Sequence, residues 1–126
     1  MAQWTEVERD TLATAGELQI ASRRRDGTLS PPMTIWAVRH DDDVYVRSVN
    51  GTSATWYRAA KRRGTGRIWS GSVERDVRFL QPESDVEDAV DSAYRDKYGG
   101  SSSASQRILA PLARETTIRL TPADHD

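Results

Sequence analysis

Met33-Thr34-Ile35-Trp36-Ala37-Val38-Arg39-His40-Asp41-Asp42-Asp43-Val44-Tyr45-Val46-Arg47-Ser48-Val49 is the stretch that decides the fold class. Two runs rich in β-branched and aromatic residues flank three aspartates, the pattern of two strands joined by a tight polar turn. Pro31-Pro32 stands immediately before the first run, and proline cannot donate to a strand ladder, so the strand begins after it. Upstream, Leu18 to Arg23 alternates apolar and polar residues as a half-buried strand does, and Arg25-Asp26-Gly27-Thr28 supplies a turn in which Gly27 can take positive φ. Downstream, Asn50-Gly51-Thr52-Ser53 reads as a turn into a helix over 54–63, with Ser53 as N-cap and Gly64 as terminator. Gly66 to Trp69, Val73 to Leu80 and Thr116 to Thr121 complete the strands. In Val73 to Leu80, Arg75 interrupts an apolar face formed by Val73, Val77 and Phe79.

The helices carry their own punctuation. Thr5-Glu6-Val7-Glu8 has capping-box spacing, so a helix runs from Glu6 to Ala15 and stops at Gly16. Ser84-Asp85-Val86-Glu87 has the same spacing, and Val86, Ala89, Val90, Ala93, Tyr94 and Tyr98 line one face up to Gly99-Gly100. Ser101 to Ser105 reads as a low-complexity loop, followed by a helical turn from Gln106 to Leu109. The expected organisation is one mainly β (α+β) domain over 1–126. It comprises an N-terminal helix over 1–16, antiparallel barrel strands over 17–82 with the inserted helix 54–63, an acidic helix over 84–98 and a closing strand over 115–122. With about six strands, a closed or partly closed barrel removes exposed edges most economically.

Charge is distributed unevenly along the 126 residues. The net charge is −1, but residues 1–16 carry one basic and three acidic groups, 17–78 twelve and seven, and 79–126 five and nine. The chain is thus a basic middle between acidic ends, and all but Lys61 and Lys97 of its cations are arginine. That asymmetry implies an anionic ligand, or acidic elements packed on basic ones. No apolar run is long enough for a membrane-spanning helix, and no signal sequence opens the chain, so a cytoplasmic protein is expected.

Several chemistries lose their residues at this stage. The absence of cysteine removes disulfides, thiolate nucleophiles, iron–sulfur clusters and cysteine-based zinc sites. His40 and His125 are the only histidines, too few for a zinc site without carboxylates gathered from afar, and His125 lies in the tail. No metal site is expected, and Asp41-Asp42-Asp43 reads as a solvated turn. Gly51-Thr52-Ser53-Ala54-Thr55 fails as a nucleophile elbow at its fifth position, and Gly64-Thr65-Gly66 has Trp69 where a dinucleotide fingerprint needs glycine. Trp36, Tyr45, Trp56, Tyr57 and Trp69 within the basic middle suit single-stranded nucleic acid, but Asp26, Asp41, Asp42, Asp43, Glu74 and Asp76 interleave with those cations.

The most specific chemical signal is Arg47-Ser48-Val49-Asn50-Gly51-Thr52-Ser53 ahead of Trp56-Tyr57-Arg58. A strand ending in polar residues, a glycine and a helix N-terminus together form a phosphate cradle, beside which Arg47 or Arg58 could supply a charged fork. The competing reading is an ordinary strand–helix junction in which Ser53 is only a cap.

This order of motifs resembles the flavin- and deazaflavin-binding split-barrel superfamily, which includes pyridoxamine-phosphate-oxidase-like proteins and deazaflavin-dependent nitroreductases; within it the chain is most similar to domain-of-unknown-function family 2255. The resemblance runs from Gly16 to Pro122. It is carried by the hairpin at Asp26-Gly27, the strands Thr34 to Val38 and Val44 to Ser48, Trp56-Tyr57-Arg58-Ala59-Ala60, and the ending Ile118 to Pro122. It implies a six-stranded antiparallel Greek-key split barrel. In such a barrel FMN or a deazaflavin is held by its phosphates at the first hairpin and at the stretch before the inserted helix, with the ring against the strand after the hairpin. The cofactor-binding residues so implied are Arg24, Arg25, Thr28, Ser30, Ser48, Asn50, Gly51, Trp56 and Tyr57. The chain departs from its relatives after Gly27: Thr28, Leu29 and Ser30 stand where they carry basic residues, and Pro31-Pro32 where they carry hydroxyls.

The expected function is cofactor binding, with hydride transfer to a small-molecule substrate as the activity it would support. Tyr45, Tyr57 and His40 are the candidate proton donors, and no catalytic residue is assigned. The resemblance also implies a homodimer. A non-catalytic small-ligand or protein-interaction barrel is the alternative, and nucleic-acid binding a weaker one.

Overall fold

Alternating apolar residues bounded by turn formers produce three antiparallel hairpins in the computed structural model, which describes residues 3–123; His125 lies outside them. The elements are α1 (Glu6–Thr14), β1 (Leu18–Ser22), β2 (Met33–Ile35), β3 (Ala37–His40), β4 (Asp43–Val46), a 3₁₀ turn (Gly51–Ser53), α2 (Thr55–Arg63), β5 (Thr65–Ser70), β6 (Val73–Leu80), α3 (Glu87–Tyr98), α4 (Ser103–Leu109), α5 (Pro111–Arg114) and β7 (Ile118–Pro122). All strands join one sheet in the order β2-β1-β5-β6-β7-β4-β3, with every pairing antiparallel.

The two edges of this sheet are consecutive in sequence. Ile35 ends one edge strand and Ala37 begins the other, so Trp36 alone bridges them and the curled sheet is nearly closed into a barrel. Hydrogen bonding counts seven strands; the expected six follow when β2 and β3 are taken as one bent strand. Trp36 is fixed at this corner: its carbonyl accepts from Tyr94 Oη at 2.8 Å, and its indole stacks on Tyr98 at 4.1 Å and 4°. A stacked aromatic pair and a satisfied carbonyl hold a bend that the ladder itself cannot.

The barrel interior is filled from all strands and from α1 and α2, with Trp4, Leu12, Ile20, Val44, Val46, Tyr57, Ile68, Val77 and Leu120 among its buried residues. A second cluster lies between β3–β4 and the helices α3 and α4, built on Val38, Tyr45, Val90, Tyr94 and Ile108. No helix among the described residues is long and apolar enough to cross a membrane.

The first capping box forms as the sequence implies. Thr5 Oγ1 accepts from Glu8 N at 3.1 Å and Glu8 Oε1 accepts from Thr5 N at 2.8 Å, though α1 ends at Thr14 with Ala15 as its cap, one residue earlier than expected. The second does not form. Helix α3 starts at Glu87 with Val86 as an N-cap lacking any side-chain bond, because the Glu87 carboxylate is drawn instead to Arg47 at 2.9 Å and Thr117 at 2.7 Å. Ser53 is not the cap of α2 either. Ala54 holds that position, and Ser53 Oγ donates back to Asn50 O at 3.1 Å. The serine-rich stretch is also more ordered than its composition implies, since Ser102 caps α4 by accepting from Ser105 N and fully buried Ser105 donates to Tyr98 O.

The basic middle meets the acidic ends in space. Arg39 pairs with Asp10 at 3.1 Å, Arg75 with Glu8 at 2.8 Å, and Arg47 with Glu87 and Asp91. Arg75, which interrupts the apolar face of β6, is thereby covered by α1.

Candidate functional site

The polar turn after β4, the uncapped start of α2 and the strand after the first hairpin converge on one cleft of about 860 Å³. Its walls are mainly apolar, formed by Met33, Ile35, Trp36, Val49 and Trp56, with Ser30, Thr34, Asn50, Ser53 and Thr55 supplying polar groups. Each arrives there for a local reason. Ser30 is tied to β1, its Oγ accepting from Ser22 N at 2.9 Å, and Thr34 is held by Gln19 Nε2 at 2.5 Å. Trp56 stands edge-on to Tyr57 at 6.2 Å and 89°, so Tyr57 in the core props Trp56 against the cleft.

Helix α2 contributes through its backbone. Ala54, Thr55 and Trp56 line the cleft, and no side chain caps the helix, so its first-turn amides are free to donate to an acceptor placed there. No acidic residue occupies that first turn. The positive end of the helix therefore opens onto the cleft without a resident counter-charge.

Arg47 lines the cleft but is not a ligand fork. Its side chain is fully buried and all five N–H groups are engaged. Nε donates to Thr117 Oγ1 at 2.9 Å, Nη1 to Asp91 Oδ1 at 2.6 Å and Ile108 O at 3.1 Å, and Nη2 to Glu87 Oε1 at 2.9 Å and Glu87 O at 3.3 Å. The arginine read as part of a phosphate cradle thus anchors α3 and α4 to the barrel. Arg58 on α2 is exposed and does not line the cleft.

Of the nine residues implied as cofactor ligands, the structure brings Ser30, Asn50 and Trp56 together on the cleft wall. Arg24, Arg25 and Thr28 lie on the exposed hairpin and do not line it. There Arg24 Nη1 donates to Leu29 O at 3.1 Å, and Thr28 is turned onto Asp26, to which its Oγ1 donates at 2.7 Å. Ser48 and Gly51 are buried and do not line the cleft. Ser48 N donates to Thr116 Oγ1 at 2.7 Å while its own Oγ has no partner. Gly51, at φ 71°, sits under Leu112, whose Cγ would be 2.6 Å from an added Cβ. Tyr57 belongs to the barrel core.

The three candidate proton donors do not line the cleft either. Burial, with Asp43 next in effect, pushes the Tyr45 hydroxyl up to about 12. Burial likewise raises Tyr57, with Glu115 adding to it. His40 lies beside Asp41, 3.6 Å from its carboxylate, on another face. Among the described residues no group of three or more His, Asp or Glu side chains is placed to hold a metal ion.

Sequence reading did not single out Met33, Thr34, Ile35, Trp36, Thr55 and Ala104 as cleft residues, nor Arg107, whose Nη2 donates to Asn50 Oδ1 on the cleft wall. Strand alternation could have flagged Met33 and Ile35 as sharing a face. Nothing local signals that α4 reaches Asn50 across 57 residues of chain.

Comparison with known proteins bears on the family and the fold. A family model described as "Uncharacterized protein conserved in bacteria (DUF2255)" matches residues 8–120. No curated protein matches the chain. Among solved structures the chain is similar to an F420 reductase (18% identity, 96% of this chain and 97% of that one, TM-score 0.61). It is also similar to an FAD and heme binding protein from Mycobacterium smegmatis (18%, 97% and 67%, TM-score 0.57). A Bacteroides thetaiotaomicron protein assigned to 5-nitroimidazole antibiotic resistance shares the fold as well (13%, 99% and 83%, TM-score 0.57). At these identities the likeness is one of fold: an antiparallel split barrel with flanking helices.

Proposed function

Since the chain belongs to the bacterial family DUF2255 and folds as a split barrel, we propose that its cleft binds the ring of a flavin-type cofactor, FMN or a deazaflavin. The observation that carries this reading is the cleft itself. It offers about 860 Å³ with apolar walls that include Trp36 and Trp56, together with an uncapped helix N-terminus. A planar tricyclic ring needs apolar faces and donors at its carbonyl edge, and the first amides of α2 with Asn50, Ser53 and Thr55 fit that edge. Ser30 and Thr34 offer hydroxyls beside β2, against which the ring would lie. When bound, the cofactor supplies hydride chemistry towards a small molecule, while the protein orients it and keeps one face dry. The homodimer implied by the resemblance belongs to the same proposal and is tested on a sizing column.

The decisive experiment is the absorption spectrum of the purified protein followed by titration with FMN and with the deazaflavin. Binding of at least one with Kd below about 1 mM is expected, and weaker binding of both overturns the reading. Trp56→Ala should weaken binding by roughly 1–3 kcal/mol through the lost ring contact.

A second reading has its own support. The cleft walls hold hydroxyls and an amide but no ionisable side chain apart from the fully engaged Arg47. A barrel that binds a ligand without catalysing its reaction fits that composition. Binding without turnover of any hydride acceptor would favour it.

A further inference from the structure

We propose that Arg107 receives the anionic tail of the bound cofactor at the lip of the cleft and so sets a preference for a phosphorylated flavin over an unphosphorylated one. This rests on the cofactor reading above. Arg47, which points into the same region, has no N–H left to give, and the remaining wall residues of the cleft are uncharged. A phosphate taken inside would meet only the partial positive end of α2 and no full counter-charge, so the loss of its hydration would be poorly offset. The charged end of such a ligand must therefore reach a cation at the rim.

Arg107 is placed for that role by helical spacing. Ala104 lines the cleft, and Arg107 lies three residues further along α4 on the same side. Its guanidinium donates through Nη2 to Asn50 Oδ1, which puts it beside a residue of the cleft wall. Asn50 itself lines the cleft, next to the turn that leads into the uncapped first turn of α2. Arg107 is exposed and makes no ion pair among the described residues, whereas Arg39, Arg47, Arg67, Arg75, Arg114 and Arg119 each face a carboxylate. One Nη donor fixes its position through Asn50 and the rest of the fork stays open for a phosphate. The Arg107–Asn50 contact thus joins a cation, an amide and helix N–H groups along one lip.

The test is equilibrium titration of the intact protein and of Arg107→Gln with FMN and with riboflavin, read by flavin fluorescence at low and high salt. The wild-type chain should bind FMN about tenfold more tightly than riboflavin, and added salt should shrink that gap. Arg107→Gln should bring FMN down to the riboflavin affinity and leave riboflavin unchanged. Arg58→Gln, which removes an exposed arginine that does not line the cleft, should keep the wild-type preference. Equal affinity for the two flavins in the wild-type chain overturns the proposal. So does an FMN preference that survives Arg107→Gln, or one that Arg58→Gln abolishes equally. Failure of the wild-type chain to bind either flavin also overturns the proposal, and the cofactor reading falls with it only if the deazaflavin fails to bind as well.

Discussion

Arg47 Nη1 donates to Asp91 Oδ1 at 2.6 Å, joining the end of β4 to the middle of α3 across 44 residues of chain. The Arg47 side chain is fully buried and that of Asp91 12% exposed, so the pair holds only because every guanidinium N–H finds an acceptor. Truncating one partner strands the other in a dry site. Arg47→Met should cost about 3–5 kcal/mol in urea unfolding, since Asp91 and Glu87 lose their main cation. The double variant Arg47→Met/Asp91→Leu should be more stable than the sum of the two single losses. A simple sum would mean that the two side chains are not coupled.

This pair also marks the limit of what could be read from sequence. Strand positions, turns and the Gly64 and Gly99 helix ends were legible, because each depends on residues within a few positions. The charge asymmetry was legible as well, but its two explanations were not separable. Whether Arg47 faces a ligand or Asp91 is decided by how α3 packs, and no local pattern encodes that. The same packing took Glu87 out of its expected capping box. The resemblance named Ser30, Asn50 and Trp56, and these three line the cleft. The resemblance also pointed to the strand after the hairpin, but not to which of Met33 to Trp36 form the wall, because that depends on the barrel closing through Trp36.

Gly66 shows how tightly that barrel closes. A Cβ added there would lie 2.0 Å from Ala21 O and 2.7 Å from Phe79 Cζ. The nearer obstacle is backbone of the paired strand β1, which cannot rotate away. Gly66→Ala should therefore destabilise the protein by about 3 kcal/mol or more, checked by thermal and urea unfolding. Gly64→Ala meets open space but forces a left-handed residue, so its cost should be smaller, about 1 kcal/mol.

The corner at Trp36 is equally testable. Tyr94→Phe keeps the ring in the core but removes the hydroxyl that donates to Trp36 O. A part-buried carbonyl left without its donor should cost about 1–3 kcal/mol. Amide hydrogen exchange should then accelerate around Ile35 to Ala37 before it does in β5 and β6. Uniform acceleration would show that the corner is not held by this bond.

Alkaline pH should act on the same corner in two opposed steps. Lys97 Nζ reaches Leu12 O at 3.0 Å and Ala37 O at 2.6 Å, and burial lowers its pKa from 10.5 to about 8. Between those two values the unfolded chain still holds the proton that the folded chain has released, so stability should rise with pH over that window. Burial raises Tyr98 and Tyr45 from 10 to about 12, and raises Tyr94 in the same direction. Above pH 10 the unfolded chain loses protons that the folded chain keeps, so stability should fall. The urea midpoint measured from about pH 7.5 to 11 should pass through a maximum near pH 10. Lys97→Met should flatten the rising limb and leave the falling one, because the tyrosines remain. A falling limb lost together with the rising one would mean that Lys97 governs both, and the tyrosines would then not be the groups that titrate.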